Sequence, residues 1–286
     1  MKRCWSFFLS LFSRNSEPSA DFDKGMQACN RNDYATALKE FRPLAEQGHA
    51  IAQYNMALMY RRGEGVTQNN KTAVKWFTLS ADQGDAEAQY MLGCMYDEGE
   101  GVPRNEKTAV KWFSLAADQY SLPAYLGKAY AQHMLGRMYF HGQGVPQNYE
   151  AALKWFSLAA DQETENTAVM HNLGVCYEGG LGVTQNYRTA LKWYNLAAAM
   201  GNANAQLNLG VMHAKGNGVK QDYVEAHMWW NIAALQGHEN VRQNRDNIEE
   251  RMPLQHIEEA QNLSRECVEN NFKDCGRKKS WWKYWD

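Results

Sequence analysis

The chain has 286 residues, a formal net charge of −2, 44% hydrophobic and 22% charged residues, and only 6 Pro, a balance that excludes a disordered or low-complexity chain. The near-neutral charge leaves no electrostatic footprint for wrapping a nucleic acid, and no apolar run approaches the roughly 18 residues of a membrane span. Six cysteines in this length are too few for a disulfide scaffold.

Residues 1–20 begin with Lys2 and Arg3, continue through an apolar run over residues 4–12 and then reach Arg14. This reads as a short signal peptide cleaved after Ala20, and hence as a periplasmic or secreted protein. Pro18 at the −3 position argues the other way, so a cytoplasmic protein with a loose hydrophobic leader is the alternative. Residues 21–48 follow as a shortened helix pair, with Phe22, Met26 and the segment from Tyr34 to Phe41 supplying the apolar positions.

Five blocks then repeat around a Gly-x-Gly-Val core, with their second glycines at Gly65, Gly101, Gly144, Gly182 and Gly218. The spacings are 36, 43, 38 and 36 residues, and Trp76, Trp112, Trp155, Trp193 and Trp229 each lie eleven residues beyond. An Ala-x-x-x-Leu-Gly-x-x-Tyr phrase precedes the glycines, as at Ala88, Leu92, Gly93 and Tyr96. A period of this length specifies a solenoid whose units bury a face against their neighbours. The repeats run over 49–84, 85–120, 121–163, 164–201 and 202–237. Each is expected to hold two amphipathic helices, the second capped by Asn69, Asn105, Asn148, Asn186 or Asp222. The first glycine of each pair ends the first helix with φ > 0. Gly93, Gly136, Gly174 and Gly210 are expected to let helices approach closely, and the Trp-Phe rings to fill the space between adjacent units. The 43-residue spacing places a seven-residue insertion near Pro123, read as a longer loop or an extra helical turn.

Beyond Gly237 the register stops, but helical periodicity continues through residues 238–270 as a C-terminal cap, with Pro253 at a first helical position. Cys267 and Cys275, eight residues apart, form the candidate disulfide that ties the last turn to its helix. Cys4, Cys29, Cys94 and Cys176 read as free. Residues 271–286 form a basic, aromatic tail with Arg277, Lys278, Lys279, Trp281, Trp282 and Trp285. It reads either as a peripheral membrane contact or partner plug, or as a segment folded back on the last helix.

The phrase Ala-x-x-x-Leu-Gly-x-x-Tyr-x-x-Gly-x-Gly-Val, followed by Lys-Ala-x-x-Trp-Tyr-x-x-Ala-Ala, resembles the repeat of the bacterial Sel1-like repeat (SLR) family, relatives of the tetratricopeptide repeat. The resemblance covers about Asp21 to Asn270. It implies an all-α fold, a right-handed superhelical solenoid of helix-turn-helix repeats, acting as a non-enzymatic adaptor or scaffold for a protein or peptide partner. One branch of the family binds penicillins and hydrolyses them slowly. That branch carries a cysteine pair in each repeat, which this chain lacks.

Aligning the five first helices with one another separates fixed columns from free ones. Ala52, Met56, Ala57 and Tyr60 and their equivalents share one arc, and the columns of Tyr54, Leu58 and Arg61 project about 140° away. That stripe carries Tyr54, Arg61, Tyr90, Asp97, His133, Arg137, Phe140, His171 and Glu178. On the concave wall of a superhelix such a mixture of aromatic, arginine and acidic residues suits a peptide groove, with Asp97 and Glu178 setting specificity by charge. A neutral surface is the competing reading. In the fifth repeat the stripe is apolar (Leu207, Val211, Ala214), as if covered by the C-terminal cap.

No catalytic, cofactor or metal set emerges. The eight histidines stand singly, and His133 and His171, one repeat apart in the same column, are too distant for one zinc ion. Gly-x-Gly-Val follows a helix and not a strand, so it is no phosphate loop. Ser280 and Lys283 have the Ser-x-x-Lys spacing of penicillin-recognising enzymes, without companion motifs. The expectation is a binding scaffold without cofactor. The alternatives are a penicillin-binding or β-lactamase-like enzyme and an envelope-associated structural factor.

Overall fold

The computed structural model describes residues 20–118, 125–161, 166–238, 241–272 and 275. The leader with Cys4, the insertion around Pro123 and the tail with Ser280, Trp281 and Lys283 lie outside these residues. Among the described residues every regular element is an α-helix, and the chain divides into two compact units, Met1–Gln147 and Asn148–Asp286.

Unit 1 contains α1 (Ala20–Asn30), α2 (Tyr34–Glu46), α3 (Ala50–Arg62), α4 (Asn70–Ala81), α5 (Ala86–Glu98), α6 (Glu106–Ala117) and α7 (Tyr125–His141). Unit 2 contains α8 (Tyr149–Ala160), α9 (Thr167–Gly179), α10 (Tyr187–Ala199), α11 (Ala203–Lys215), α12 (Tyr223–Leu235), α13 (Val241–Glu249) and α14 (Leu254–Glu269). The described part of the insertion shows in α7, which has 17 residues where α3 and α5 have 13, one extra turn at its start.

The caps fall where the sequence puts them. The side chains of Asn69, Asn105, Asn148 and Asn186 each accept from the backbone N–H three residues on, and Asp222 accepts from Val224 and Glu225. Gly63, Gly99, Gly180 and Gly216 close the first helices in the left-handed region. The second glycine of each pair has a separate reason. At Gly101 φ is +72°, and a Cβ would stand 2.5 Å from the Asn70 backbone, at the start of the previous repeat's second helix. Gly-x-Gly is therefore both a helix stop and the point where consecutive repeats touch through backbone.

Inside each repeat the aromatic residue after Trp packs on the small residue of the first helix. A Cβ on Gly93 would lie 2.5 Å from the Phe113 ring, and Gly174 and Gly210 meet Tyr194 and Trp230 in the same way. These rings fill the space within a repeat, a correction to the expectation that they lie between units. The Trp itself bridges: Trp76 packs on the core around Phe77 and Leu92 and on the core around Phe41 and Met56.

Two glutamine columns were missed. Buried Gln53, Gln89 and Gln206 donate to the carbonyls of Ala45, Ala81 and Ala198, at the end of the preceding helix, at 3.0, 3.1 and 3.3 Å. Gln68, Gln147, Gln185 and Gln221 donate to the last-turn carbonyls of Arg61, Phe140, Glu178 and Ala214. Both columns satisfy acceptors that a helix end leaves without intrahelical partners.

In unit 2 the capping helices α13 and α14 dock on α12, not over the α11 stripe, correcting the expected cover for Leu207, Val211 and Ala214; those three are half-buried against the unit's own core. His227, fully buried on α12, bonds Glu249 of α13 at 2.6 Å, while Arg245 reaches both Asn231 and Glu249. Pro253 stands one position earlier than expected, as the N-cap of α14. Cys267 and Cys275 are joined, with Cα atoms 4.8 Å apart, within the range a disulfide spans. Cys29, Cys94 and Cys176 are free thiols.

Candidate functional site

In unit 1 the free columns of α3, α5 and α7 lie side by side, but less open than a helical wheel suggests. Leu58 is buried, with 7% of its surface exposed, and Tyr54 and Tyr90 are half-buried. The reason is that each first helix has its own second helix beneath it. The Tyr54 ring rests 5.7 Å from Phe77, and the Tyr90 ring 5.8 Å from Phe113. Burial pushes both phenols well above their usual range. The stripe is thus part packing and part surface.

From repeat to repeat the surface part is continuous. Arg61 on α3 donates to Glu100, in the Gly-x-Gly turn of the next repeat, at 3.0 Å, and lies 4.0 Å from the Met91 sulfur on α5. Tyr90 on α5 meets Tyr130 on α7 at 6.0 Å between ring centres. Arg137 on α7 is exposed and lies 3.6 Å from the Met134 sulfur, and Phe140 packs edge-on against His141 at 5.1 Å. Met91 and Met134 occupy one column; an arginine meets Met91 from the neighbouring helix and Met134 from its own. His133 is pushed down to about 4, by burial first and then by the Arg137 charge, and is neutral at pH 7. Asp97 is held less firmly: Arg104 approaches to 4.0 Å, and one carboxylate oxygen is buried without a hydrogen-bond partner.

In unit 2 the same columns are tied to internal partners. Glu178 accepts from the Tyr194 hydroxyl at 2.7 Å, and His171 packs tilted against that ring at 5.8 Å between centres while bonding Asn208 of α11 at 3.3 Å. Trp230 donates through its indole N–H to the Leu207 carbonyl at 3.1 Å. His171 and Glu178 are therefore tied into internal contacts. Unit 1 brings together Tyr54, Arg61, Tyr90, Asp97, His133, Arg137 and Phe140 on neighbouring helices.

The sequence reading missed Met91, Tyr130, Met134 and Glu87 on this face. Glu87 and Tyr130 lie one turn before Tyr90 and His133, so the stripe begins one turn earlier than the column pattern predicts. Among the described residues there is no group of three or more His, Cys, Asp or Glu placed to hold a metal ion, and no helix long and apolar enough to cross a membrane. Burial raises the Cys94 and Cys176 thiols to about 11, which leaves them poor nucleophiles at neutral pH.

The sequence profile of the Sel1 repeat matches residues 50–85, 86–121, 129–163, 167–202 and 203–238. The crystal structure of c5321, a protective antigen present in uropathogenic Escherichia coli strains and displaying an SLR fold, is similar over 90% of this chain, at 34% identity and a TM-score of 0.74. This chain spans 55% of that antigen's length. A Sel1 repeat protein from Oxalobacter formigenes is similar over 80% of this chain and 88% of its own, at 29% identity and a TM-score of 0.71. No curated protein matches the sequence.

Proposed function

The chain belongs to the Sel1 repeat family, and we propose that it is a non-catalytic scaffold that binds a protein or peptide segment on the first-helix face of unit 1. The observation that carries this reading is the continuous row from Arg61 and Met91 through Tyr90 and Tyr130 to Met134 and Arg137. Aromatic, methionine and arginine side chains are the residues enriched at protein interfaces. Here they cross three helices, half-exposed, where an unbranched peptide would meet several at once.

Peptides of twelve residues selected from a random display library on the full chain provide the test. Replacing Arg137 and Phe140 together by Ala should weaken their binding at least about tenfold, the loss of more than 1 kcal/mol that marks an interface hot spot. Far-UV circular dichroism should stay unchanged, because both residues lie on the helix face away from the core. Unchanged affinity would remove this face from the reading. We also place the protein outside the cytoplasm. The basic and apolar leader and the Cys267–Cys275 pair both support an oxidising compartment. Intact mass of unreduced protein from its native host tests this: a species starting at Asp21 and carrying one disulfide is expected, and a full-length, fully reduced species would overturn it.

A further inference from the structure

Glu87 opens the unit 1 face at the first turn of α5, three residues before Tyr90, so the two side chains share one side of the helix. It is 93% buried, being 7% exposed, and its Oε1 has no hydrogen-bond partner. Most buried carboxylates are paired with a cation or fully hydrogen-bonded, because an isolated buried charge is strongly unfavourable. Among the described residues Glu87 forms no ion pair, and no cation is among the charges that bear on it. The charged neighbour on its own helix is Asp85, whose carboxylate caps α5 by accepting from Ala88 at 2.7 Å and adds a second negative charge. Burial and Asp85 together push Glu87 up to about 7.

The surroundings suit a cation. Glu87 occupies the column that holds Tyr130 in the next repeat, and Tyr54 the column that holds Tyr90. The Tyr90–Tyr130 pair, 6.0 Å apart, therefore has Tyr54 and Glu87 as its counterpart one repeat earlier. Consistent with this, the charges on Asp85 and Glu87 both bear on the Tyr54 phenol, ahead of the opposing ones on Arg62 and Arg61 in the last turn of α3. An electron-rich ring beside an unpaired carboxylate is the environment in which a guanidinium or ammonium is held by charge and by the ring face together.

We propose that the unit 1 face recognises a basic side chain of its peptide partner, an arginine or lysine that lies against Glu87 beside Tyr54. The inference rests on the binding face proposed above and names the chemistry of what binds there.

The display-selected peptides are the probes, each synthesised also with every Arg and Lys replaced by Met. The selected peptides should carry at least one basic residue. On the wild-type chain the Met version should bind at least about tenfold more weakly, the scale of losing one member of a desolvated charge pair. Glu87→Gln should weaken the basic peptide by a similar factor and leave the Met version unaffected. It should also melt at the same or a higher temperature, since the amide removes a buried charge that lacks a partner. A lower melting temperature would mean that Glu87 is paired within the protein, and would overturn the proposal. So would Glu87→Gln leaving the basic peptide's affinity unchanged while Arg137→Ala with Phe140→Ala still abolishes binding; the face would then stand without Glu87. Loss of neither would bring down the face and the inference with it.

Discussion

The same three columns are half-buried in both units but held differently, tied to internal polar partners in unit 2, and the difference traces to one ring on each second helix. In unit 1 the ring under the first helix is Phe77 or Phe113, which has no polar atom to satisfy. In unit 2 it is Tyr194 or Trp230. Each must find a partner when buried, and each takes one from the helix above, Glu178 or the Leu207 carbonyl. A phenylalanine leaves the overlying side chains available; a tyrosine or tryptophan draws one of their acceptors inward. Binding capacity on this solenoid is therefore set partly from below, by a buried residue that no ligand touches.

That comparison assumes a common frame, and the largest expected effect tests it. Gly101→Ala in unit 1 and Gly182→Ala in unit 2 both combine φ of +72° with a Cβ driven into the backbone of the preceding repeat. Each should destabilise by about 3 kcal/mol or more, measured by urea unfolding. Gly84→Ala, with φ of +89° but nothing within 4 Å, should lose only about 1–2 kcal/mol from backbone strain. Unequal losses at Gly101 and Gly182 would show that the two units do not share the turn-to-backbone contact.

Acid separates the units next. Burial pushes His213 in unit 2 down to about 4 and lowers His171 and His227 there as well. A histidine depressed below its unfolded value of about 6.5 is neutral when folded, so the fold loses stability as pH drops below that value and on towards the depressed one. Unit 1 has His133 acting in the same sense, at about 4. It also has Asp85 and Glu87, raised to about 6 and about 7. A raised carboxylate takes up its proton first in the folded state, so its penalty is present above the folded pKa and is relieved as pH falls towards the unfolded one. Between pH 7 and 5, protection of amides against exchange should therefore fall in α11 and α12 relative to α5, by about 1–2 kcal/mol of opening free energy. An equal fall in both would remove the carboxylates as the source of the difference.

Much of this was legible in the sequence, and the parts that were not share a cause. The caps at Asn69 and Asn105, the stops at Gly63 and Gly99 and the Cys267–Cys275 pair all follow from residues close together in the chain. The burial of Leu58 and Glu87, the Arg61–Glu100 pair and the glutamines at Gln53 and Gln89 depend on which neighbouring helix end comes close. A helical wheel treats each helix as having one buried face. In this array a first helix meets helices on more than one side, and its open arc narrows to a few side chains such as Arg137 and Tyr130. The glutamine recurring one residue after the small Ala, at Gln53, Gln89, Gln132 and Gln206, was a readable signal of a shared buried role.

Breaking the internal tie in unit 2 is a smaller perturbation. Tyr194→Phe deletes the 2.7 Å bond to Glu178 but keeps the ring over Gly174. It should lower stability by about 1 kcal/mol, because Glu178 is only half-buried and water replaces the hydroxyl. Urea unfolding measures the loss. A cost well above this would mean that the hydroxyl holds more of unit 2 together than Glu178 alone.

The reverse change sharpens the comparison most, although at Phe113 its effect is the smallest. Phe113 occupies the column of Tyr194, and Asp97 the column of Glu178, with one Asp97 oxygen buried and lacking a donor. Phe113→Tyr places a hydroxyl where that oxygen needs one, and the shorter Asp side chain makes the reach less complete than in unit 2. The two effects nearly offset, so stability should stay within about 0.5–1 kcal/mol of wild type. Phe77→Tyr puts the same hydroxyl beneath Arg61, a donor already engaged with Glu100, and should lose about 1–3 kcal/mol as an unsatisfied buried group. If the two substitutions cost the same, the acceptor on the overlying helix is irrelevant, and the ring beneath the first helix does not decide how the face above it is held.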